Sequence, residues 1–210
     1  FSAPAAEEAG GVEGAGWVGE HRPEWIRAAG ALNECGGVSF DVAGRRFYGI
    51  GVAEKGYAPY RITVRGAWGH GSMPRDDNAA VLAAEVVRRL AAQGPPRKTP
   101  VMTRFLDAVA AELPPHVGAL VRSIADPDEP RSEAAIERLC DPSYARAARA
   151  LLRDTASPDI VRSGVKYNVI PGIAEIEVDC RTLPGTDEPA MRAEVLRRIG
   201  DLADRVQIEL

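Results

Sequence analysis

Polar and apolar residues alternate from Tyr60 to Arg65, with Tyr60, Ile62 and Val64 set against Arg61, Thr63 and Arg65. That period predicts a half-buried strand. The period then changes. In DDNAAVLAAEVVRRLAAQG, 76–94, the apolar positions recur at helical spacing. Asp76, Asp77 and Asn78 offer N-caps, Arg88 and Arg89 lie near the C-terminal end, and Gly94 stops the run. From about residue 95 to 150 the chain is punctuated by prolines and prone to helix, with no alternation, and reads as a helical insertion.

Alternation returns in PDIVRSGVKYNVIPGIAEIEVDCRTLPG, 158–185, which predicts a hairpin. Pro171 and Gly172 fit the central positions of a type II turn. That register sets Ile170 opposite Ile173, Val169 opposite Ala174 and Asn168 opposite Glu175. Tyr167, Val169, Ala174, Ile176, Val178 and Cys180 then form an apolar face. Lys166, Asn168, Glu175, Glu177, Asp179 and Arg181 form the polar one, with Lys166 and Glu177 as a cross-strand ion pair. A helix over DEPAMRAEVLRRIGDLA and a strand in RVQIEL close the chain. Without the insertion the order is strand, helix, strand, strand, helix, strand, the ferredoxin-like split βαβ arrangement. The first 56 residues are mixed and glycine-rich. They hold a strand end at FSAPAAEEAGG, a short helical pattern broken at Pro23, a strand end at ALNECGG and a further strand in RRFYGIGVAEKG.

Composition removes several function classes. The net charge is -4, the pI is about 5.5 and no basic stripe is present, which argues against nucleic acid or an anionic membrane as partner. No run of 18 apolar residues occurs. Three cysteines, widely separated, fit neither a disulfide framework nor a CxxC zinc pattern, so a reducing compartment is expected. The chain starts at Phe1 without an initiator Met and stops within the strand-like VQIEL, so it reads as an interior piece of a longer chain. The cytoplasm is the expected location, although an N-terminal signal on the parent chain would redirect it.

Glu7 and Glu8 are adjacent carboxylates at a strand-to-loop junction. Such pairs are usually solvated surface charge. The chemical alternative is a metal site, one carboxylate ligating a cation while its neighbour takes a proton from water. Glu34 in LNECGG is placed similarly. His70 sits in GHGS, where flanking glycines offer little packing, so it is either an exposed loop histidine or a metal ligand, acid/base or oxyanion donor. Arg181 is either a surface residue or a bidentate grip on a carboxylate.

Together, APAAEEAGG, ALNECGG, EKG, RGAWGHGSMP followed by NAA, and KYNVIPGIAEIEVDCRTLPG resemble the di-zinc amidohydrolases. That family includes aminoacylase, acetylornithine deacetylase, succinyl-diaminopimelate desuccinylase and glutamate carboxypeptidase. The resemblance runs from Phe1 to Leu210 and is weakest in the insertion. It implies an α/β chain: residues 1–56 as part of a zinc-binding α/β domain, and 57–210 as a ferredoxin-like βαββαβ lid that dimerises, with a helical insertion over about 95–150. Glu7 would be the general base, and Glu8 and Glu34 metal ligands. His70 would reach into the partner protomer's site to stabilise the oxyanion, and Asn168 and Arg181 would hold substrate. Two zinc ions per site are implied, with cobalt or manganese also accepted by such carboxylate-rich sites. The remaining ligands would lie before Phe1 and after Leu210, so this piece by itself is expected to be inactive. Ala6 stands where relatives often have Asp, Cys35 where Gly is common, and Asp159 where Thr is frequent. The activity expected of the parent protein is metal-dependent hydrolysis of an amide bond in an N-acyl amino acid, a dipeptide or a peptide C-terminus. The alternative is a non-catalytic dimerisation or small-ligand-binding module, or a degenerate relative.

Overall fold

The computed structural model describes residues 4–6, 11–30 and 37–210. The chain divides into two compact units, Phe1–Val38 and Ser39–Leu210.

In the first unit a π-helical turn, Val12–Gly16, runs into α1 (Trp17–His21), and α2 (Pro23–Ile26) follows. The break falls at Arg22, whose φ of -141° leaves the helical region, and Pro23 restarts the helix at its first position. Trp17 and His21, one turn apart, stack at 4.8 Å.

The second unit opens with a hairpin, β1 (Ser39–Val42) and β2 (Arg45–Tyr48). Ala43 and Gly44 close it, both at positive φ, as a primed two-residue turn demands. Next come β3 (Gly56–Tyr57), β4 (Tyr60–Arg65), β5 (Gly69–His70) and α3 (Ala79–Ala91). Four helices fill the insertion: α4 (Pro100–Ala111), α5 (Pro115–Ser123), α6 (Glu129–Leu139) and α7 (Pro142–Leu151). Pro100, Pro115, Pro130 and Pro142 sit in the first turns of these helices, where no N–H is needed. The chain then forms β6 (Thr155–Ser163), β7 (Val169–Ile170), β8 (Ile173–Thr182), α8 (Glu188–Ile199), a 3-10 turn and β9 (Val206–Glu209).

The main sheet is antiparallel. β8 pairs with β6 on one edge and with β3 and β4 on the other, and β4 pairs with β9. The order β6, β8, β4, β9, with α3 and α8 as the crossovers, is the ferredoxin-like split arrangement the alternation predicts. Ile62 and Val64 of β4 and Ile176 and Val178 of β8 pack against Val86 and Leu90 of α3 and Met191, Val195 and Ile199 of α8. A separate cluster joins the inserted helices, through Leu106, Val109, Ile136 and Leu152, to Phe40, Val42 and Phe47 of the first hairpin. Between the clusters lies a polar joint. Arg153, only 3% exposed, pairs with Glu129 and Glu133, while the buried Asp154 accepts from the Leu183 backbone N–H and pairs with Arg97.

The expected hairpin register is corrected here. β8 does not fold back on 165–170. It pairs with β6, Ser163 opposite Ala174 and Ala156 opposite Cys180. Gly164, at φ 71°, takes the chain out of β6, and the connection then carries β7, which pairs with β5 instead. Pro171 and Gly172 serve docking. Their carbonyls accept from the Ala79 and Gly66 N–H groups, and a Cβ on Gly172 would meet the Trp68 indole at 2.6 Å. Hence Tyr167 belongs to no apolar face and is 98% exposed, and Glu177 pairs with Arg162, not Lys166. The sorting along β8 stands: Ala174, Ile176, Val178 and Cys180 are buried.

Candidate active-site residues

Glu7, Glu8 and Glu34 lie outside the described residues. Ala6, directly before the pair, has a φ of 57°, and its carbonyl accepts from Gly11 N–H at 2.8 Å. An alanine in this left-handed region costs energy that asparagine or aspartate bears more readily. Gly14 is obligatory for space, since a Cβ there would fall 1.9 Å from the Ala5 carbonyl oxygen. Among the described residues no group of three or more His, Cys, Asp or Glu side chains could hold a metal ion. The carboxylates nominated for that role lie outside the described residues.

His70 ends β5 and is exposed. The short β5 and β7 pair sets His70 opposite Val169 and Gly69 opposite Ile170. Gly71 N–H donates to the Asn168 carbonyl at 2.9 Å. A Cβ at position 71 would approach Asn168 Cα to 3.2 Å, and one at position 69 would meet Arg75 Cδ at 3.1 Å and Ile170 Cδ1 at 3.2 Å. Both glycines thus have a reason within this chain: they let the histidine loop lie close against β7. Nearby, Arg75 and Asp77 form a bidentate ion pair, which holds the Asp77 carboxyl below its ordinary pKa. The Asn78 side chain caps α3 by accepting from Ala80 N–H at 3.0 Å.

Asn168 therefore sits beside His70. Its Oδ1 is buried and has no hydrogen-bond partner among the described residues, an arrangement folded proteins seldom leave unanswered. Arg181 is elsewhere. The sequence places Asn168 and Arg181 on one hairpin face, and the observed pairing separates them. Ile173, the β8 residue opposite Arg65, marks the His70 end of the sheet, whereas Arg181 lies opposite Tyr57 at the other end. The eight steps from Ile173 to Arg181 span roughly 26 Å at a strand rise of about 3.3 Å. One small substrate cannot touch His70 and Arg181 of the same protomer.

Arg181 is held in place. It forms a bidentate pair with Asp179, at 2.7 and 2.9 Å, and its guanidinium lies 4.4 Å from the Tyr57 ring centre. An open depression of about 400 Å³ adjoins it, lined by Tyr57, Arg61, Asp159, Glu177, Asp179 and Glu209 among others. Asp159 accepts from the Ser157 hydroxyl at 2.7 Å. Lys55 lies on the same side of the molecule. Its ammonium donates to the Ala150 and Arg153 carbonyls and to Thr155 Oγ1, and burial lowers its pKa to about 8. By sequence Lys55 has no role beyond its place in EKG. Only the fold brings it to the end of α7.

Residues 52–207 match the peptidase dimerisation domain family of the M20 peptidases. The chain belongs to that family. A Dictyostelium discoideum protein named as a probable carboxypeptidase S-like 2 is 30% identical over 159 residues, covering 76% of this chain and 29% of its own length. A Saccharomyces cerevisiae protein with a carboxypeptidase name is 30% identical over 136 residues, covering 61% of this chain and 22% of its own. The chain thus spans less than a third of these relatives. Among solved structures, an M20 family metallo-carboxypeptidase from Sulfolobus solfataricus shares 16% identity at a TM-score of 0.42, covering 74% of this chain and 43% of its own.

Proposed function

We propose that the parent protein is a metal-dependent hydrolase of an amide bond, acting on an N-acyl amino acid, a dipeptide or a peptide C-terminus. On this reading residues 57–210 form the lid and dimerisation domain, and residues 1–56 belong to the catalytic domain. The observation that carries it is the His70 loop. An exposed histidine is pinned by strand pairing beside a buried, unpartnered amide oxygen, inside a domain whose family is one of peptidases.

Glu8 and Glu34 would supply part of the ligand set, with further ligands outside this chain. A divalent metal bound there would act as Lewis acid toward the scissile carbonyl and toward water. Glu7 takes a proton from the attacking water and returns it to the leaving amine. The His70 side chain donates to the developing oxyanion. Asn168 accepts from a substrate or partner N–H, and Arg181 grips a carboxylate once that carboxylate displaces Asp179.

The separation of His70 from Arg181 supports a site shared across a homodimer, each protomer lending a different end of its sheet. Among the described residues β6 pairs only with β8, so its outer edge, with the exposed Ile160 and Val161, is free to meet a second copy. The test is metal content and turnover of the full-length protein on a panel of N-acyl amino acids and dipeptides. About two metal ions per chain with chelator-sensitive turnover supports the hydrolase. A folded, dimeric protein with neither metal nor turnover would leave a dimerisation module.

A further inference from the structure

We propose that Ser72 is a positioning residue that fixes the tautomer of His70, leaving Nε2–H as the outward donor. The proposal rests on the reading of His70 as an oxyanion donor. The His70 Nδ1 lies 3.2 Å from the Ser72 backbone nitrogen and 2.8 Å from Ser72 Oγ. A backbone N–H can only donate. Nδ1 must therefore present its lone pair to it, and the neutral ring carries its proton on Nε2. The Ser72 hydroxyl, beside the same nitrogen, turns its own proton inward and adds a second donor. A ring protonated on Nδ1 would face one N–H with another.

The loop gives this contact its rigidity. Met73 N–H donates to the His70 carbonyl at 2.9 Å and closes a four-residue turn with Ser72 inside it. Gly71 N–H is held by the Asn168 carbonyl, and His70 itself is paired with Val169. The backbone on both sides of Ser72 is thus tied down. The freedom left to His70 is rotation of its own ring, and the Ser72 contact removes it. An oxyanion site needs a donor aimed where negative charge develops. With Nε2–H outward, His70 supplies one. With the other tautomer it would aim a lone pair at the oxyanion and repel it. The serine of GHGS therefore selects the useful half of the imidazole.

The test uses the full-length protein with ¹⁵N-labelled histidine side chains, at a pH where the ring is neutral. Long-range ¹H–¹⁵N spectra distinguish the tautomers, and His70→Gln assigns the signals. The expected wild-type pattern is Nε2–H, with the Nδ1 resonance displaced by hydrogen bonding. Ser72→Ala should move that resonance toward the unbonded position. It should also lower kcat roughly 5- to 10-fold, the worth of one hydrogen bond, with KM little changed. Ser72→Thr keeps the hydroxyl and should restore both signals. An Nδ1–H pattern in the wild type, or Ser72→Ala with unaltered spectra and kcat, overturns the proposal. If His70→Gln leaves kcat intact, the oxyanion reading itself fails, and Ser72 loses its catalytic purpose even with the tautomer as expected.

Discussion

At the residue scale, the side chains of interest differ in how they are held. His70 is exposed but anchored through its backbone, and His70→Ala in the full-length enzyme should cost roughly 100- to 1000-fold in kcat, as losing one oxyanion donor does. Steady-state kinetics would check it. Asn168 poses the opposite case. Its buried Oδ1 has no donor among the described residues, and a buried acceptor left so carries a desolvation cost. Asn168→Ala should leave the unfolding temperature unchanged or slightly higher while raising KM roughly 10-fold, a split that calorimetry and kinetics together resolve. Lys55 carries a pH signature. Burial lowers its folded pKa to about 8 from an ordinary value of 10.5. Below that folded value both states are protonated, and the native state bears the full cost of enclosing the charge. Between the two values the unfolded chain binds more protons, so this group makes stability rise with pH. The side chain is only half buried, so the gain is on the order of 1 kcal/mol. Urea unfolding across that window should show the wild type gaining on Lys55→Met. Residue types alone nominated His70, Asn168 and Arg181. Which of them meet was illegible, because it depends on β7 pairing with β5 across a hundred residues of chain. The role proposed for Ser72 rests on ring-to-backbone geometry that spacing does not carry.

At the element scale, the legible features were those with a local cause. The alternation of β4 and β8 gave their buried faces, because a strand repeats every two residues. The N-cap candidates of α3 marked its start, because they answer to the unpaired N–H groups of a first turn, and the helix-prone insertion proved to be four helices. The hairpin went astray because Pro171-Gly172 has the chemistry of a turn and is used to dock the connection against α3 and Gly66. Gly164 made the exit from β6 instead. This gives Gly172 a specific consequence. Gly172→Ala would press a methyl into the Trp68 indole and should cost about 1–3 kcal/mol by overpacking. Hydrogen exchange should quicken at β5 and β7 while the main sheet stays protected, since the strain acts on the segment that holds the His70 loop.

At the scale of the whole molecule, the split βαβ arrangement was written in the order of its periods, and the matched dimerisation domain, 52–207, agrees with the family resemblance. The catalytic centre was not legible in the same way. The nominated metal ligands are local to short motifs and lie outside the described residues, and the chain covers 29% of its relative's length. One protomer cannot bring His70 to Arg181, and a two-fold pair can bring each to its counterpart. Sedimentation of the full-length protein at micromolar concentration should show a dimer. The most direct test mixes two inactive full-length variants, Glu7→Gln and His70→Ala, and allows subunits to exchange. If the histidine acts across the interface, each mixed dimer holds one site with an intact glutamate and an intact histidine. Activity should then return to roughly a quarter of wild type, half the dimers being mixed and one of two sites in each being whole. Mixed dimers that form and stay inactive would contradict the shared site.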